Sequence, residues 1–268
     1  MTETRQHRSV SQINSFQKCG WAYKLERIDK VWQRPAAWLG QGSAVHEAAE
    51  AWEKSNRTMT LAEAQDIFRE SYALHINKAC EEQASNLRFW FSSGQYHGEV
   101  DIERRYEIGL EQVEKLINWH LAHADQEIWV APDGTRAIEL AFDIILDDVP
   151  VRGYIDAVRV VGGELQVVDY KTGVNPGDDF QLAVYAIAIA EQFGVEQPKS
   201  GVYFMTGKKG KPANPTYPYD LTSWTREKVS ARFQELESKI ALGEFEPKPE
   251  PSKCRMCSVA LSCEFSAA

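Results

Sequence analysis

Apolar and polar positions change their period along this chain, and the changes mark its elements. From Arg136 to Asp147, RAIELAFDIILD, the two kinds alternate as in a half-buried strand, and Asp147-Asp148-Val149-Pro150 reads as the turn that ends it. The stretch from Arg152 to Lys171 continues in the same mode. It predicts two strands joined at Gly162-Gly163, the first carrying Asp156 and the second, ELQVVDYK, carrying Asp169 and Lys171. SGVYFMTG (200–207) predicts a further strand. TYPYDL (216–221) predicts an edge strand, since Pro218 has no N–H to give a central one. Elsewhere the period is helical. Residues 9–28 read as a helix with Ser9 or Ser11 as N-cap, and 33–42 as a Pro- and Gly-bearing connector before a helix over 43–55. Thr60-Leu-Ala-Glu63 is a capping box that opens a helix over Leu61–Cys80, with Ile67, Phe68, Tyr72 and Ile76 as its apolar stripe. After an aromatic loop, RFWFSSGQYHG, come helices over 100–124, 180–194 and 222–243, the last two stopping at Gly194 and Gly243. The order of elements predicts an α/β protein with a helical region beside a sheet.

The chemistry gathers on the predicted hairpin. Residues i and i+2 of a strand share a face, so Asp169 and Lys171 stand side by side, with Val167 on their face and Tyr170 on the other. Two carboxylates, Asp156 and Asp169, brought to a lysine at the ends of paired strands are costly to desolvate without a use. A divalent metal offsets that cost, and hard oxygen ligands suit Mg²⁺ or Mn²⁺. Other charges read more plainly. Glu139 and Asp143 are expected to be exposed strand charges, and Glu47 and Glu50 solvated charges on a helix. His46, Glu50 and Glu53 fall at helical spacing, and Gln181 and Tyr185, four apart, share a helix face. Phe89, Trp90, Phe91 and Tyr96 read either as a packed aromatic cluster or as a platform for the bases of single-stranded DNA. Lys208, Lys209 and Lys211 read equally as a solvated loop tip or as contacts to phosphates.

Composition adds bounds. The 268 residues, 43% hydrophobic and 26% charged, suffice for one sizeable core with an accessory region. No apolar run reaches the roughly 18 residues of a membrane helix, and MTETRQHRSV is polar throughout, so an intracellular, cytoplasmic protein is expected. A net charge of −9 argues against coating nucleic acid by global charge but leaves room for a local groove. The cysteines number five, an odd count unsuited to structural disulfides. Cys254, Cys257 and Cys263 cluster as C-x-x-C-x-x-x-x-x-C, which points to a metal. Three thiolates need a fourth ligand, for which Cys19 and Cys80 remain. By itself Cys19 reads as a small core thiol and Cys80 as a spare one. Spacing alone leaves zinc and an iron–sulfur cluster both open.

Asp156 followed, after a hairpin, by Asp169-Tyr170-Lys171 resembles the core of the PD-(D/E)XK nucleases. GYIDAV…VVDYKTG with Gln181…Tyr185 is similar to the RecB-type branch. The cysteines make the chain resemble that branch's iron–sulfur members, the AddB-like nucleases and the CRISPR-associated RecB-like exonucleases of the Cas "four" family. The resemblance runs from Ser9 to Cys263. It implies one domain over 1–268 with a restriction-endonuclease-like mixed sheet. Its parts are an N-terminal helix (9–35), a helical region (43–130), the nuclease core (136–245) and an iron–sulfur tail (246–268). It implies that His46, in GSAVHEA, joins Asp156, Asp169 and the Tyr170 carbonyl as a metal ligand, that Lys171 is catalytic, and that Gln181 and Tyr185 contact DNA beside the site. It implies that Cys19 completes a [4Fe–4S] cluster with Cys254, Cys257 and Cys263. The expected activity is an Mg²⁺- or Mn²⁺-dependent exonuclease acting on single-stranded DNA, often 5′-to-3′, in recombination, repair or CRISPR-type processing. No Walker-type phosphate loop is present, so a helicase, a recombinase or a CRISPR-adaptation protein enters only as a partner chain. The rival readings are a non-catalytic iron–sulfur DNA-binding or adaptor module, against which the D…D-x-K set argues, and a zinc-stabilised protein of unrelated function.

Overall fold

The computed structural model describes residues 6–207 and 210–268. Lys208 and Lys209 of the basic loop lie outside the described residues. Ser9 precedes α1 (Val10–Lys18), but the helix expected over 9–28 is broken. Cys19 is extended (φ −166°, ψ 110°), and the chain restarts as α2 (Gly20–Tyr23) and a π-helical turn, Lys24–Ile28. The break turns Cys19 out of the helix it was expected to continue. The connector is shorter than its glycines suggest: α3 starts at Ala37 and runs to Lys54 through Gly40 and Gly42. The capping box at Thr60 is present in both halves and opens α4 (Leu61–Glu82). Next come α5 (Gly98–Ala122) and the short β1 (Glu127–Ile128).

The sheet follows. Strands β2 (Ile138–Leu146), β3 (Val149–Val161) and β4 (Glu164–Lys171) form two successive antiparallel hairpins. Gly162 and Gly163 both take positive φ (61° and 84°), which a two-residue turn between right-twisted strands demands. α6 (Asp179–Phe193) then crosses over to β5 (Ser200–Met205), which pairs with β4 in parallel. The short β6 (Asn214–Pro215) and β7 (Tyr219–Asp220) both flank β5 antiparallel. Two residues of pairing around Pro218 agree with an edge position. The chain ends with α7 (Arg226–Leu242), capped by Thr225 and Gly243, and α8 (Pro251–Arg255) in the cysteine tail.

Each face of this mixed sheet buries its own core. On one side α1, α6 and α7 bring Ile13, Phe180 and Phe233 against Leu140, Val151 and Val167. On the other, α3, α4 and α5 bring Trp52, Phe68 and Leu116 against Val168, Tyr170 and Phe204. Alternation along β4 therefore feeds both cores, as expected for a sheet covered on two faces. Trp90 and Phe91 of the aromatic loop are buried, while Phe89 is half exposed and Tyr96 is half-buried. Among the described residues, no helix is long and apolar enough to cross a membrane.

Candidate active site

The two hairpin turns determine a row of acids. Ile138 pairs with Ala157 and Leu140 with Ile155, so Glu139 lies directly across from Asp156. Ala157 pairs with Val168, and the same register carried one rung further brings Asp156 to Asp169. Alternation breaks at this row. Ala137 and Leu140, three residues apart, both enter the core under α6, and so do Ile155 and Val158. The break coincides with a positive φ of 46° at Glu139, an unfavourable conformation for a side-chain-bearing residue in a strand.

Helix α3 delivers His46 onto this row. Its Nδ1 is 3.5 Å from Asp156 Oδ1 and 3.8 Å from Glu139 Oε1. His46, Glu139 and Asp156 form the one group of three or more potential metal-ligating side chains, among the described residues, whose ligand atoms all lie within 4.8 Å of one another. Burial penalises the His46 cation, but Asp156 and Glu139 outweigh it and raise the imidazole well above its usual range. Burial raises the Glu139 carboxyl against the opposing pull of His46. Gly42, one turn before His46, lies close to the segment after β4: a Cβ there would stand 3.2 Å from Thr172 Oγ1. The other Asp156 oxygen, Oδ2, accepts the Tyr170 backbone N–H at 2.5 Å.

Asp169 sits in a second, adjoining group. Gln181 Nε2 donates to its Oδ1 at 2.8 Å and to Tyr185 Oη at 2.7 Å, while Lys171 Nζ donates to Gln181 Oε1 at 3.1 Å. The pair on α6 thus braces the acid and the lysine together. Asp169 Oδ2 has the Lys171 ammonium 2.7 Å away but accepts no well-aligned hydrogen bond, although it is buried. Burial first, and then the Asp156 charge, push the Asp169 carboxyl up to about 7 despite Lys171. Three carboxylates and an imidazole converging on one part-buried row fit a hard divalent cation.

Glu139 is the correction to the sequence reading, which took it for an exposed strand charge. It is part-buried and partnered, whereas Asp143 is exposed and paired with Arg152. Its signal was the turn: a two-residue loop at Asp147-Asp148 pairs residues 146 and 149, and counting back places 139 opposite 156. Glu47 and Glu50 lie toward solvent as expected, paired with His75 and Lys54.

Cys19, Cys254, Cys257 and Cys263 line one cavity of about 440 Å³ that reaches the start of α3 at Trp38 and Leu39, and none of the four is in a disulfide. Cys80 lines a different groove, with Trp32 and Phe89. The tail is clasped to the N-terminal segment around them. Lys248 N donates to Cys19 Sγ at 3.4 Å, Arg34 N to the Ser258 carbonyl at 2.8 Å, and Trp21 packs edge-on to Phe265.

The mixed sheet is flanked by helices, with acids and a lysine on its central hairpins and a histidine set against them from α3. Residues 7–264 match the model of the PD-(D/E)XK nuclease superfamily, and the chain belongs to that superfamily. Among individual proteins it is 60% identical over 259 residues to the "Gene 69 protein" of Mycobacterium phage D29, covering 96% of each chain. To the "Gene 69 protein" of Mycobacterium phage L5 it is 54% identical over 278 residues, covering 96% of this chain and 95% of that one. The solved structure of a candidate exonuclease from Eubacterium rectale shares the fold at 14% identity, with a TM-score of 0.53 over 96% of this chain and 87% of that one.

Proposed function

We propose that this protein is a divalent-metal-dependent DNA exonuclease that hydrolyses phosphodiester bonds of single-stranded DNA, with 5′-to-3′ polarity. The observation that carries the reading is the row of Glu139, Asp156 and Asp169 with His46 above it and Lys171 beside it. His46, Asp156, Asp169 and the Tyr170 carbonyl hold Mg²⁺ or Mn²⁺, and Glu139 joins them as a further ligand. Such an ion, when bound, supplies an activated water and offsets charge developing on the scissile phosphate. Lys171 keeps a cation at the reacting phosphate, where it steadies the same charge and orients the attacking water. Gln181 and Tyr185 hold Asp169 and Lys171 in register and orient the strand. The polarity and the single-stranded substrate rest on the resemblance to the RecB-like iron–sulfur exonucleases, as does a role in recombination, repair or CRISPR-type processing.

The same reading assigns a [4Fe–4S] cluster to Cys19, Cys254, Cys257 and Cys263. Their shared cavity supports one common site, the choice of a cluster over zinc rests on the resemblance, and its role is to close the tail on the N-terminal segment. The test uses anaerobically purified protein of known iron content with end-labelled single- and double-stranded DNA, in Mn²⁺, Mg²⁺ or EDTA. Metal-dependent loss of the single strand is expected, with the label position giving the polarity. Brown, folded protein that cuts nothing would overturn the catalytic reading in favour of a binding module.

A further inference from the structure

Beside the metal-site row, on the face of the sheet that α3 and α5 cover, lies a buried polar cluster that the chemistry above does not use. Arg159 is 1% exposed, His120 0% and Glu53 1%. Desolvating such groups is costly, and a core of the same volume in apolar side chains would hold the fold as well. Arg159 stands three residues after Asp156 on β3. Its guanidinium donates to Tyr170 Oη at 2.8 Å, to His120 Nε2 at 2.8 Å and to Gln126 Oε1 at 3.0 Å. Glu53 Oε1 lies 3.6 Å away, and the Glu53 carboxylate is held in turn by an Arg57 fork, Nε donating to Oε2 and Nη2 to Oε1.

Two of these partners, Tyr170 and Glu53, belong to elements that carry part of the metal site. Tyr170 is the residue between Asp169 and Lys171, and its backbone N–H holds Asp156. Strand alternation sends its ring to the face that α3 and α5 cover, where it meets Arg159. Glu53 follows His46 by seven residues, two turns along α3, so both lie on the side of the helix that faces the sheet. Arg159 therefore joins α3, β3 and β4, the elements that carry His46, Asp156 and Asp169.

We propose that Arg159 is a positioning residue for the metal site, acting through Tyr170 Oη and Glu53 to set the separation between His46 and the strand carboxylates. This rests on the metal-site reading above. Removing an outer hydrogen-bond partner of a metal ligand typically weakens metal binding by about 10–100-fold.

The experiment compares the wild type with Tyr170→Phe, which deletes one oxygen and leaves the backbone carbonyl, and with Arg159→Met and Arg159→Lys. Three quantities are read: Mn²⁺ affinity by calorimetry, melting of the metal-free protein, and kcat against KM on single-stranded DNA. Tyr170→Phe is expected to weaken Mn²⁺ binding about 10-fold and to lower kcat with KM for DNA unchanged, while metal-free melting moves little. Arg159→Met is expected to do more, and Arg159→Lys to restore part of it. Tyr170→Phe with normal Mn²⁺ affinity and normal kcat overturns the proposal, whatever its melting temperature, and does so even if Arg159→Met fails to fold. A wild type that binds no Mn²⁺ at calorimetric concentrations sinks the metal-site reading itself, an outcome distinct from any difference between variants.

Discussion

Glu139 and Asp156 face each other across the β2–β3 hairpin, each at the point where its strand's in-out alternation breaks. The positive φ at Glu139 is the local cost of that break, which keeps its carboxylate beside His46 and Asp156. Glu139→Gln keeps the size and removes the charge. It is expected to weaken Mn²⁺ binding about 10–100-fold and to slow cleavage in proportion, while Asp143→Asn, an exposed acid on the same strand, changes neither. Equal metal affinity in the two variants would remove Glu139 from the site.

Asp169→Ala and Lys171→Ala are expected to reduce cleavage by at least about 10²–10³-fold, with far-UV circular dichroism and iron content unchanged. Normal cutting by both variants would show that the D-x-K strand does not carry the reaction.

The metal-free protein should lose stability as pH rises. The Asp169 carboxyl is pushed up to about 7 in the fold, so between about pH 4 and 7 the native state binds more protons than the unfolded chain, and stability falls with pH across that window. His46, raised well above its usual value, acts in the same direction: its contribution is complete below about pH 6.5 and is lost above that. Melting in EDTA is therefore expected to fall between pH 5 and 8, with Mn²⁺ giving its largest recovery at the high end. A flat profile in EDTA would contradict this electrostatic picture.

Serine at any one of positions 19, 254, 257 and 263 is expected to remove the brown colour and the iron, whereas Cys80→Ser keeps both. Iron lost from Cys80→Ser, or stoichiometric zinc in place of iron in the wild type, would refute the assignment. Limited proteolysis should find the N-terminal segment freed in the four cluster variants.

Gly109 on α5 lies under the Phe68 ring, which a Cβ would meet at 2.1 Å. Gly109→Ala therefore forces the ring out of the helical core and should cost about 1–3 kcal/mol, seen as a melting temperature lower by several degrees. Because the clash is remote from the acids, kcat of the folded enzyme should stay within about twofold of wild type. Unchanged melting would mean that α4 and α5 pack less closely than described.

Local features carried much of this protein in its sequence. The Thr60 box, the glycine stops at 194 and 243 and the period changes placed most helices and strands within a few residues. Asp147-Asp148 and Gly162-Gly163 did more: two-residue turns leave a hairpin one register, so the row 139–156–169 was implicit in the spacing. Local rules failed where distant segments meet. Nothing near Cys19 distinguishes it from Cys80; the extended break after α1 places Cys19, and not Cys80, in the cavity that the tail cysteines line. The strand pattern places Glu139 with solvent, and only α3 descending on the sheet turns that position into part of a site. Arg159 reads as one more polar residue on a strand, and its value as an anchor exists only once α3, β3 and β4 stack. Turns, caps and faces depend on neighbours in sequence, whereas the desolvation and pairing of charges depend on which elements pack together, which the tertiary structure alone decides.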